Sequence, residues 1–317
     1  MQAQAVVFQS PKHLSMLGLD LPPPGPGEIE VDIEYSGIST GTERLLWDGS
    51  MPPFPGMGYP LVPGYESVGR VVRTGPDTTL QSGQRVFVPG AQCFKGVRSL
   101  FGGSASRLVV AESRTATVGD ELGADAVLLA LAATAYHAVA GGGKRSTINA
   151  PDLIVGHGVM GRLLARMTVA AGVAPPTVWE IDPGRQAGAQ GYAVMHPDDD
   201  SRRDYRAIYD VSGDAAILDK LISRLSPGGE VVLAGFYHQP LQFSYAPAFM
   251  REAQIRAAAE WKRPDLLAVT ELVQSGRLAL DGLITHSQPP HMAHQAYDVA
   301  FGDTQCLKMV LDWSANA

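Results

Sequence analysis

A glycine-rich turn between an apolar segment and a helical pattern constrains this chain more than any other feature. The apolar run Leu153–Val155 leads into this turn, and a helix is predicted over residues 162–171. The turn consists of Gly156, His157, Gly158, Val159, Met160 and Gly161. In the fingerprint G-x-G-x-x-G, the glycines allow a tight turn, close approach of a pyrophosphate, and close packing of helix and strand. Because a helix N-terminus also attracts phosphates, we predict that these six residues bind a dinucleotide.

A second apolar strand, predicted over Thr177–Ile181, supports this interpretation and refines it. Glu180 lies about twenty residues beyond the fingerprint, where a carboxylate accepts hydrogen bonds from the adenosine ribose hydroxyls. The same negative charge would repel a 2′-phosphate. The sequence therefore predicts NAD rather than NADP as the cofactor.

Composition and charge limit the remaining classes. The 317 residues are 45% hydrophobic and 18% charged, which is typical of a soluble globular protein long enough for two cores. The net charge of −7 and the lack of a basic cluster argue against a nucleic-acid partner. We recognise neither a signal peptide nor an apolar run of membrane-spanning length, and two cysteines cannot form a disulfide framework. We expect a cytoplasmic enzyme without an integral membrane segment.

The chain changes character along its length. Residues 1–130 carry short strands, among them Glu28–Tyr35, whose alternating acidic and apolar residues predict a strand with one solvent-exposed face. Residues 131–258 alternate strands with helices, the pattern of a parallel sheet. Residues 259–317, with a predicted strand at Gly282–Thr285, lack another such unit and are expected to return to the first domain.

The loop over residues 47–60 is too rich in proline and glycine to form a regular element. Its candidate substrate-pocket residues are Trp47, Phe54, Met57 and Tyr59. These apolar side chains either pack locally over the domain or form the wall of a cleft for a large flat substrate. The sequence leaves both interpretations open.

Motifs spread over most of the chain resemble those of the medium-chain dehydrogenase/reductase superfamily. Pro63–Gly69 resembles its P-G-H-E-x-x-G motif, Gly156–Gly161 its nucleotide turn, and Ile284–His286 with Ala296-Tyr297 its C-terminal pattern. The resemblance implies an α/β fold, with a GroES-like β-rich catalytic domain and a Rossmann domain that contains a doubly wound parallel sheet.

Within that superfamily, the chain is similar to the hydroxyethyl bacteriochlorophyllide dehydrogenase family of bacteriochlorophyll synthesis. The loop Gly37–Glu43, the segment Pro63–Gly69 and the near absence of cysteine carry this similarity. It implies a large planar tetrapyrrole as substrate. The reaction would oxidise the 3-(1-hydroxyethyl) group of a bacteriochlorophyllide or chlorophyllide to 3-acetyl, with NAD as the oxidant.

The chain departs from the zinc-dependent members of the superfamily. By alignment to their motifs, Ser39, Tyr65 and Ala130 occupy the places of the catalytic zinc ligands, and the four-cysteine structural zinc site is missing. We therefore predict no metal. The histidines lack a ligand spacing, so His137 and His157, like the others, are expected at the surface or as caps.

Without zinc, the alcohol proton needs a general base or a hydroxyl relay. The candidate catalytic residues are Ser39, Thr40, Tyr65, Glu66 and His137. A base role for Tyr65 requires a lowered pKa, and otherwise this phenol only orients the substrate. Ser39 and Thr40 either pass the proton onward or cap the loop.

The superfamily resemblance also implies further cofactor contacts. Their residues are Thr134, Ser212, Gly213, Ala234, Gly235, Phe236 and, towards the pyrophosphate, Lys308. It further implies a homodimer through the last strand of the dinucleotide sheet, near residues 255–260. Two other functions stay open: a zinc-free NAD(P)H-dependent quinone or enone reductase, against which Glu180 counts, and a non-catalytic NAD-binding protein.

Overall fold

The chain begins with antiparallel strands and continues with strand–helix units, and the computed structural model describes residues 2–53, 55–99, 101–140 and 149–316. Its strands are β1 (Gln2–Ser10), β2 (His13–Asp20), β3 (Glu28–Ile38), β4 (Ser67–Thr74), β5 (Arg85–Val88), β6 (Arg107–Ala111), β7 (Ala116–Thr117), β8 (Leu153–Val155), β9 (Thr177–Trp179), β10 (Ala193–Met195), β11 (Tyr205–Asp210), β12 (Leu225–Leu233), β13 (Gln254–Ala257), β14 (His286–Gln288) and β15 (Met309–Asp312). Its α-helices are α1 (Thr42–Asp48), α2 (Leu129–Ala140), α3 (Val159–Ala170), α4 (Leu218–Ile222), α5 (Tyr245–Met250), α6 (Arg263–Gln274) and α7 (Ala293–Gly302). Short 3-10 helices span Glu112–Arg114, Asp120–Leu128, Pro183–Arg185, Pro290–Met292 and Trp313–Asn316.

The chain divides into two compact units. The first comprises Met1–Ala130 and Asp281–Ala317, and the second comprises Leu131–Leu280. The second boundary therefore lies after Leu280 rather than after residue 258. The reason is that α6 packs within the second unit, where Asp265 of α6 lies 2.7 Å from the Nδ1 of His137 on α2.

The first unit is built on a sheet with the order β14-β15-β3-β4-β5-β7, and β6 also pairs with β3. The sheet is mostly antiparallel, but β14 pairs with β15 in parallel. The predicted solvent-exposed face of β3 is wrong for Glu30, which is fully buried. Its carboxylate lies 2.6 Å from the Nε of Arg73 and 3.1 Å from the Nη1 of Arg107. Neighbouring strands thus supply arginines that neutralise an acidic residue which the alternation alone assigns to solvent.

The second unit contains a parallel sheet with the order β10-β9-β8-β11-β12-β13. The first strand of this sheet, β8, has β9 on one side and β11 on the other. The strand order therefore reverses direction between β8 and β11. Ligands of such sheets bind outside the carboxyl ends of the strands at this reversal. The predicted doubly wound parallel sheet is confirmed.

One apolar helical stretch, Asp120–Ala140, is long enough to cross a membrane by length and composition alone. However, 56% of its apolar window is buried inside the protein. Leu128, Ala132 and Ala135 are completely buried. This stretch therefore has the burial expected of a core helix.

Candidate active site

Three strand ends of the first unit bring predicted site residues together. Pairing of Met309 with Ile38 and of Ser67 with Ser36 places β15 and β4 on either side of β3. Both neighbours run antiparallel to β3, so the end of β3 lies beside the beginnings of β4 and β15. Ser39, Glu66 and Lys308 each lie one residue outside these strands. The sheet therefore gathers three residues that are far apart in the sequence.

Ser39, Thr42 and Tyr65 form a cluster of hydrogen-bonded hydroxyls, called here the hydroxyl cluster. The phenol of Tyr65 donates to the Oγ of Ser39 at 2.6 Å. The Oγ1 of Thr42 lies 3.1 Å from the Tyr65 oxygen and 3.4 Å from the Ser39 Oγ. Thr42 is the first residue of α1 and was not among the predicted site residues. The hydroxyl predicted beside that of Ser39 was that of Thr40.

Tyr65 stays a phenol in this environment. Burial, together with the nearby charge of Glu66, raises the pKa of Tyr65 well above its ordinary value. A base role would require a lowered pKa, and burial shifts the pKa of Tyr65 in the opposite direction. The orienting role of this phenol stays a prediction. Phe101, another residue without a signal in the sequence, packs edge-on against Tyr65 with 5.0 Å between ring centroids.

Glu43 carries a buried carboxyl group that contacts the backbone of the hydroxyl cluster at Ser39. Its Oε1 accepts a hydrogen bond from the Ser39 backbone N–H at 3.1 Å, and its Oε2 accepts one from the Tyr297 hydroxyl at 2.9 Å. Burial, with a smaller contribution from the charge of Glu66, raises the pKa of Glu43 to about 8. Glu43 therefore fixes the backbone that carries Ser39. Its place in the hydroxyl-rich loop was the available signal for it.

Glu66 and Lys308 form a buried ion pair. The Nζ of Lys308 lies 2.7 Å from the Oε2 of Glu66 and also donates to the carbonyl of Ile38 at 3.1 Å. Burial raises the pKa of Glu66, and the positive charge of Lys308 partly offsets this effect. The Oε1 of Glu66 is buried and has no hydrogen-bond partner among the described residues. The contact of Lys308 with a pyrophosphate stays a prediction.

The side chains at the expected zinc-ligand places do not fit that metal. Ser39 and Tyr65 offer neutral hydroxyls and Ala130 offers a methyl group, whereas catalytic zinc is held by thiolates, imidazoles and carboxylates. Within the described ranges, no group of three or more His, Cys, Asp or Glu side chains is arranged to hold a metal ion. Cys93 is a buried thiol whose pKa burial raises to about 11, which disfavours the thiolate form that binds metals.

The fingerprint of the second unit has the backbone geometry that a pyrophosphate needs. Gly156, directly after β8, has a φ of +103°, and a side chain at Gly161 would overlap the Gly156 carbonyl oxygen. Gly158 is the N-cap of α3, makes no side-chain cap, and has open space where a side chain would stand. The turn therefore leaves room for a phosphate beside free helix N–H groups.

Other predicted cofactor residues lie at the same edge of the parallel sheet. The N–H of Val211 donates to Val155 at 3.0 Å, and that of Gly235 donates to Asp210 at 3.0 Å. These bonds bring the segment with Ser212 and Gly213, and that with Ala234 to Phe236, to the carboxyl ends of β8, β11 and β12. Thr134 is half-buried on α2. The roles of these residues in binding the cofactor stay predictions.

Glu180 follows β9 and is held close to the fingerprint. Its Oε2 accepts from the N–H of His157 at 3.1 Å, and its Oε1 accepts from the N–H of Asp182 at 2.9 Å. The carboxylate is thus fixed beside the glycine turn.

The expected surface or capping position is wrong for two histidines. His157 is completely buried, and the buried ring of His137 pairs with Asp265.

The loop over residues 47–60 packs on its own unit. Trp47 is buried, with its ring centroid 5.4 Å from that of Phe8 and 6.2 Å from that of Tyr297. The Tyr59 hydroxyl donates to the carbonyl of Leu46, and Met57 packs against the core. Phe54 lies outside the described residues. Trp47, Met57 and Tyr59 thus pack locally, and a role of these residues in binding a substrate stays a prediction.

Known proteins share both the sequence and the fold. Residues 25–120 match the alcohol dehydrogenase GroES-like domain, as the β-rich first unit predicts. The chain is 56% identical to the 2-desacetyl-2-hydroxyethyl bacteriochlorophyllide A dehydrogenase of Rhodobacter capsulatus, over 99% of each chain. It is 52% identical to the protein of the same name from Cereibacter sphaeroides, over 100% of each chain.

A solved structure agrees with this assignment at the level of the fold. The acetophenone reductase of Geotrichum candidum, in complex with NAD, has a TM-score of 0.83 at 20% identity. That match covers 100% of this chain and 98% of the reductase chain. The chain is a dehydrogenase of the medium-chain dehydrogenase/reductase superfamily and belongs to the family of the two bacteriochlorophyllide dehydrogenases that it resembles over its full length.

Proposed function

We propose that the protein oxidises the 3-(1-hydroxyethyl) side chain of a bacteriochlorophyllide or chlorophyllide to a 3-acetyl group, with NAD and without zinc. The hydroxyl cluster carries this proposal. The motif resemblance aligns two of its members, Ser39 and Tyr65, with metal ligands of the zinc enzymes of the superfamily. The substrate is inferred from the names of the two relatives, which are at least 52% identical to this chain.

The hydroxyl cluster can bind the reacting oxygen. Ser39 accepts a hydrogen bond from Tyr65, so the hydroxyl hydrogen of Ser39 is available for the substrate oxygen. Tyr65, with its raised pKa, keeps its proton and strengthens Ser39 as a donor. Glu43 holds the backbone of Ser39 in place. When bound, NAD⁺ would supply the acceptor for the hydride that the carbinol carbon loses.

Glu66 is the proposed acceptor of the hydroxyl proton. Its Oε1 is a buried oxygen without a hydrogen-bond partner among the described residues, and burial raises the pKa of this carboxyl group. A raised pKa makes a carboxylate a stronger base. His137 is less suited, because its Nδ1 is engaged by Asp265. The alcohol thus loses one hydride and one proton and becomes a ketone.

The proposed substrate reduces the need for a metal. The hydroxyl-bearing carbon is attached to a conjugated tetrapyrrole ring, which can delocalise the positive charge that develops as the hydride leaves. Less stabilisation is then required at the oxygen, where zinc otherwise acts. Neutral hydroxyl donors are sufficient under this proposal.

The preference for NAD follows from Glu180, whose carboxylate is proposed to bind the ribose hydroxyls and to repel a 2′-phosphate. The proposal includes a cytoplasmic homodimer. Strand β13 ends the order of the parallel sheet. The nearby helix α5 exposes Tyr245, Phe249 and Met250. An open sheet edge with exposed apolar groups favours pairing with a second copy.

The test combines turnover with metal analysis. Purified protein is mixed with NAD and a hydroxyethyl bacteriochlorophyllide, and NADH formation and the pigment spectrum are followed together. We expect turnover that persists after dialysis against a chelator, with no stoichiometric zinc in the protein. Stoichiometric zinc, or loss of activity to the chelator, would contradict the zinc-free mechanism. Quinone or enone reduction by NADPH in place of this turnover would contradict the proposed substrate.

A further inference from the structure

The connection from β9 to β10 differs from an ordinary crossover in a parallel sheet. Parallel neighbours are usually joined through an α-helix. Here residues 180–192, all of them described, contain only the 3-10 turn Pro183–Arg185. We call this segment the acidic loop, because it begins with Glu180. A segment without helix hydrogen bonds needs other partners to keep one conformation.

Arg162 of helix α3 supplies those partners. Its Nη2 donates to the carbonyls of Ala187 at 2.8 Å and Arg185 at 3.1 Å, and its Nη1 donates to Gly188 at 3.2 Å. Its Nε donates to the carbonyl of His157 at 3.0 Å. Arg162 as a whole residue is only 5% exposed. One side chain therefore ties the acidic loop to the fingerprint.

His157 makes a second connection between the same two segments. Its Nδ1 lies 2.7 Å from the carbonyl of Arg185, and its Nε2 lies 2.9 Å from the hydroxyl of Tyr192. Burial lowers the pKa of His157 to about 4, so the ring is neutral at pH 7. A carbonyl can only accept, so Nδ1 carries the hydrogen and Nε2 accepts from Tyr192. The neutral ring therefore holds the acidic loop at two points, Arg185 and Tyr192.

We propose that Arg162 and His157 are positioning residues for the dinucleotide, which hold the acidic loop so that the Glu180 carboxylate is preorganised for the adenosine ribose. This inference rests on the proposed use of NAD. The backbone N–H of His157 binds the Glu180 carboxylate directly, while its ring and Arg162 hold the rest of the loop. Preorganisation of this kind increases affinity by removing the cost of ordering the site upon binding.

Gly188 gives a test that leaves both positioning residues unchanged. A side-chain carbon at Gly188 would lie 2.5 Å from the Nη1 of Arg162, so Gly188→Ala displaces the guanidinium. Gly172→Ala is the matched control. Gly172 has a φ of +70°, close to the +84° of Gly188, but has open space around it. Both substitutions therefore carry similar backbone strain, and only one disturbs Arg162.

The readout is NADH binding, measured by fluorescence titration, together with hydrogen exchange of the acidic loop without cofactor. We expect His157→Phe, Arg162→Met and Gly188→Ala to weaken NADH binding about tenfold, which corresponds to ~1.4 kcal/mol. Exchange in the loop should become faster. The KM for NAD should rise while kcat at saturating NAD changes little. The difference between the affinity for NADH and the affinity for NADPH should become smaller. Gly172→Ala should bind NADH as the wild type does.

Two results would overturn the proposal and can be told apart from failure of the NAD assignment. Unchanged NADH affinity in the folded His157→Phe and Arg162→Met variants would remove the positioning role. Equal losses in Gly188→Ala and Gly172→Ala would assign the effect to backbone strain. If the wild-type protein bound NADPH but not NADH, the NAD assignment would be wrong instead.

Discussion

Tyr65 donates a 2.6 Å hydrogen bond to Ser39. The motif resemblance aligns both residues with zinc ligands of the superfamily. Thr42 adds a third hydroxyl within 3.4 Å of both oxygens. Glu43 holds Ser39 in place by accepting a hydrogen bond from its backbone N–H. The first unit thus contains a group of oriented hydrogen-bond donors that includes two of the residues aligned with metal ligands. Such donors stabilise developing negative charge on a substrate oxygen.

Removing the Tyr65 hydroxyl tests this arrangement. Tyr65→Phe keeps the ring against Phe101 but leaves Ser39 without its donor. We expect kcat for the oxidation to fall by about a hundredfold, as for loss of one oriented donor, with the KM for NAD unchanged. Steady-state kinetics measure both. Tyr35→Phe, at a half-buried tyrosine of β3 outside the hydroxyl cluster, is the control and should keep full activity. Normal turnover by Tyr65→Phe would exclude the phenol from the reaction.

Substitutions at Thr42 and Thr40 test which of these two threonines contributes to the reaction. Thr42 lies in the hydroxyl cluster, and the Thr40 hydroxyl lies outside it. Replacing a threonine by valine keeps the shape and removes the hydroxyl. We expect kcat to fall about tenfold in Thr42→Val, because Ser39 and Tyr65 lose one hydrogen-bond partner, and to stay near wild type in Thr40→Val. The opposite order in the same assay would assign the role of Thr42 to Thr40.

Local patterns were sufficient for the nucleotide half of the molecule. The fingerprint, the strand before it and the helix after it are contiguous in sequence, and β8, the turn and α3 form as the pattern predicts. Glu180 could be found as well, because its place is set by the length of one strand–helix–strand unit. The candidate active site of the first unit could not be predicted in this way. Tyr297 and Glu43 are 254 positions apart, and Lys308 and Glu66 are 242 apart. No periodicity reveals such pairs.

Long-range pairing also explains the errors. The strand predicted at Gly282–Thr285 is wrong, and β14 covers His286–Gln288, because the backbone pairs where Met309 of β15 lies opposite His286. Glu30 was assigned to solvent because alternation cannot show the arginines on neighbouring strands. His157 was assigned to the surface because its two partners lie in a later loop. In each case a partner distant in the sequence decided the outcome.

Glu43 should make the stability of the protein depend on pH. Its pKa in the folded protein is about 8, above the ordinary value of 4.5, because the side chain is buried. Between these two values the folded state holds a proton that the unfolded state has released. Its contribution to the free energy of unfolding is complete below pH 4.5 and is lost as the pH rises to 8, by at most about 1.4 kcal/mol per pH unit.

Urea unfolding of the wild type and of Glu43→Gln at pH 6 and pH 9 measures this contribution. Glutamine keeps the acceptor for the Ser39 N–H but has no carboxyl proton to lose. We expect the wild type to lose stability relative to Glu43→Gln between the two pH values. Parallel changes in both proteins would mean that Glu43 does not titrate in this range.

The free energy of unfolding should fall more when one partner of the Lys308–Glu66 ion pair is removed than when both charges are removed. Both side chains are at most 1% exposed, so Lys308→Met leaves a buried carboxylate without its cation. We expect this change to lower the free energy of unfolding by about 3–5 kcal/mol. The double variant Glu66→Gln/Lys308→Met buries no uncompensated charge and should recover part of that loss. Urea unfolding at pH 7 compares the wild type, the two single variants Lys308→Met and Glu66→Gln, and the double variant. Additive losses in the double variant would show that the two side chains do not stabilise each other, since coupled partners in a buried pair are expected to deviate from additivity.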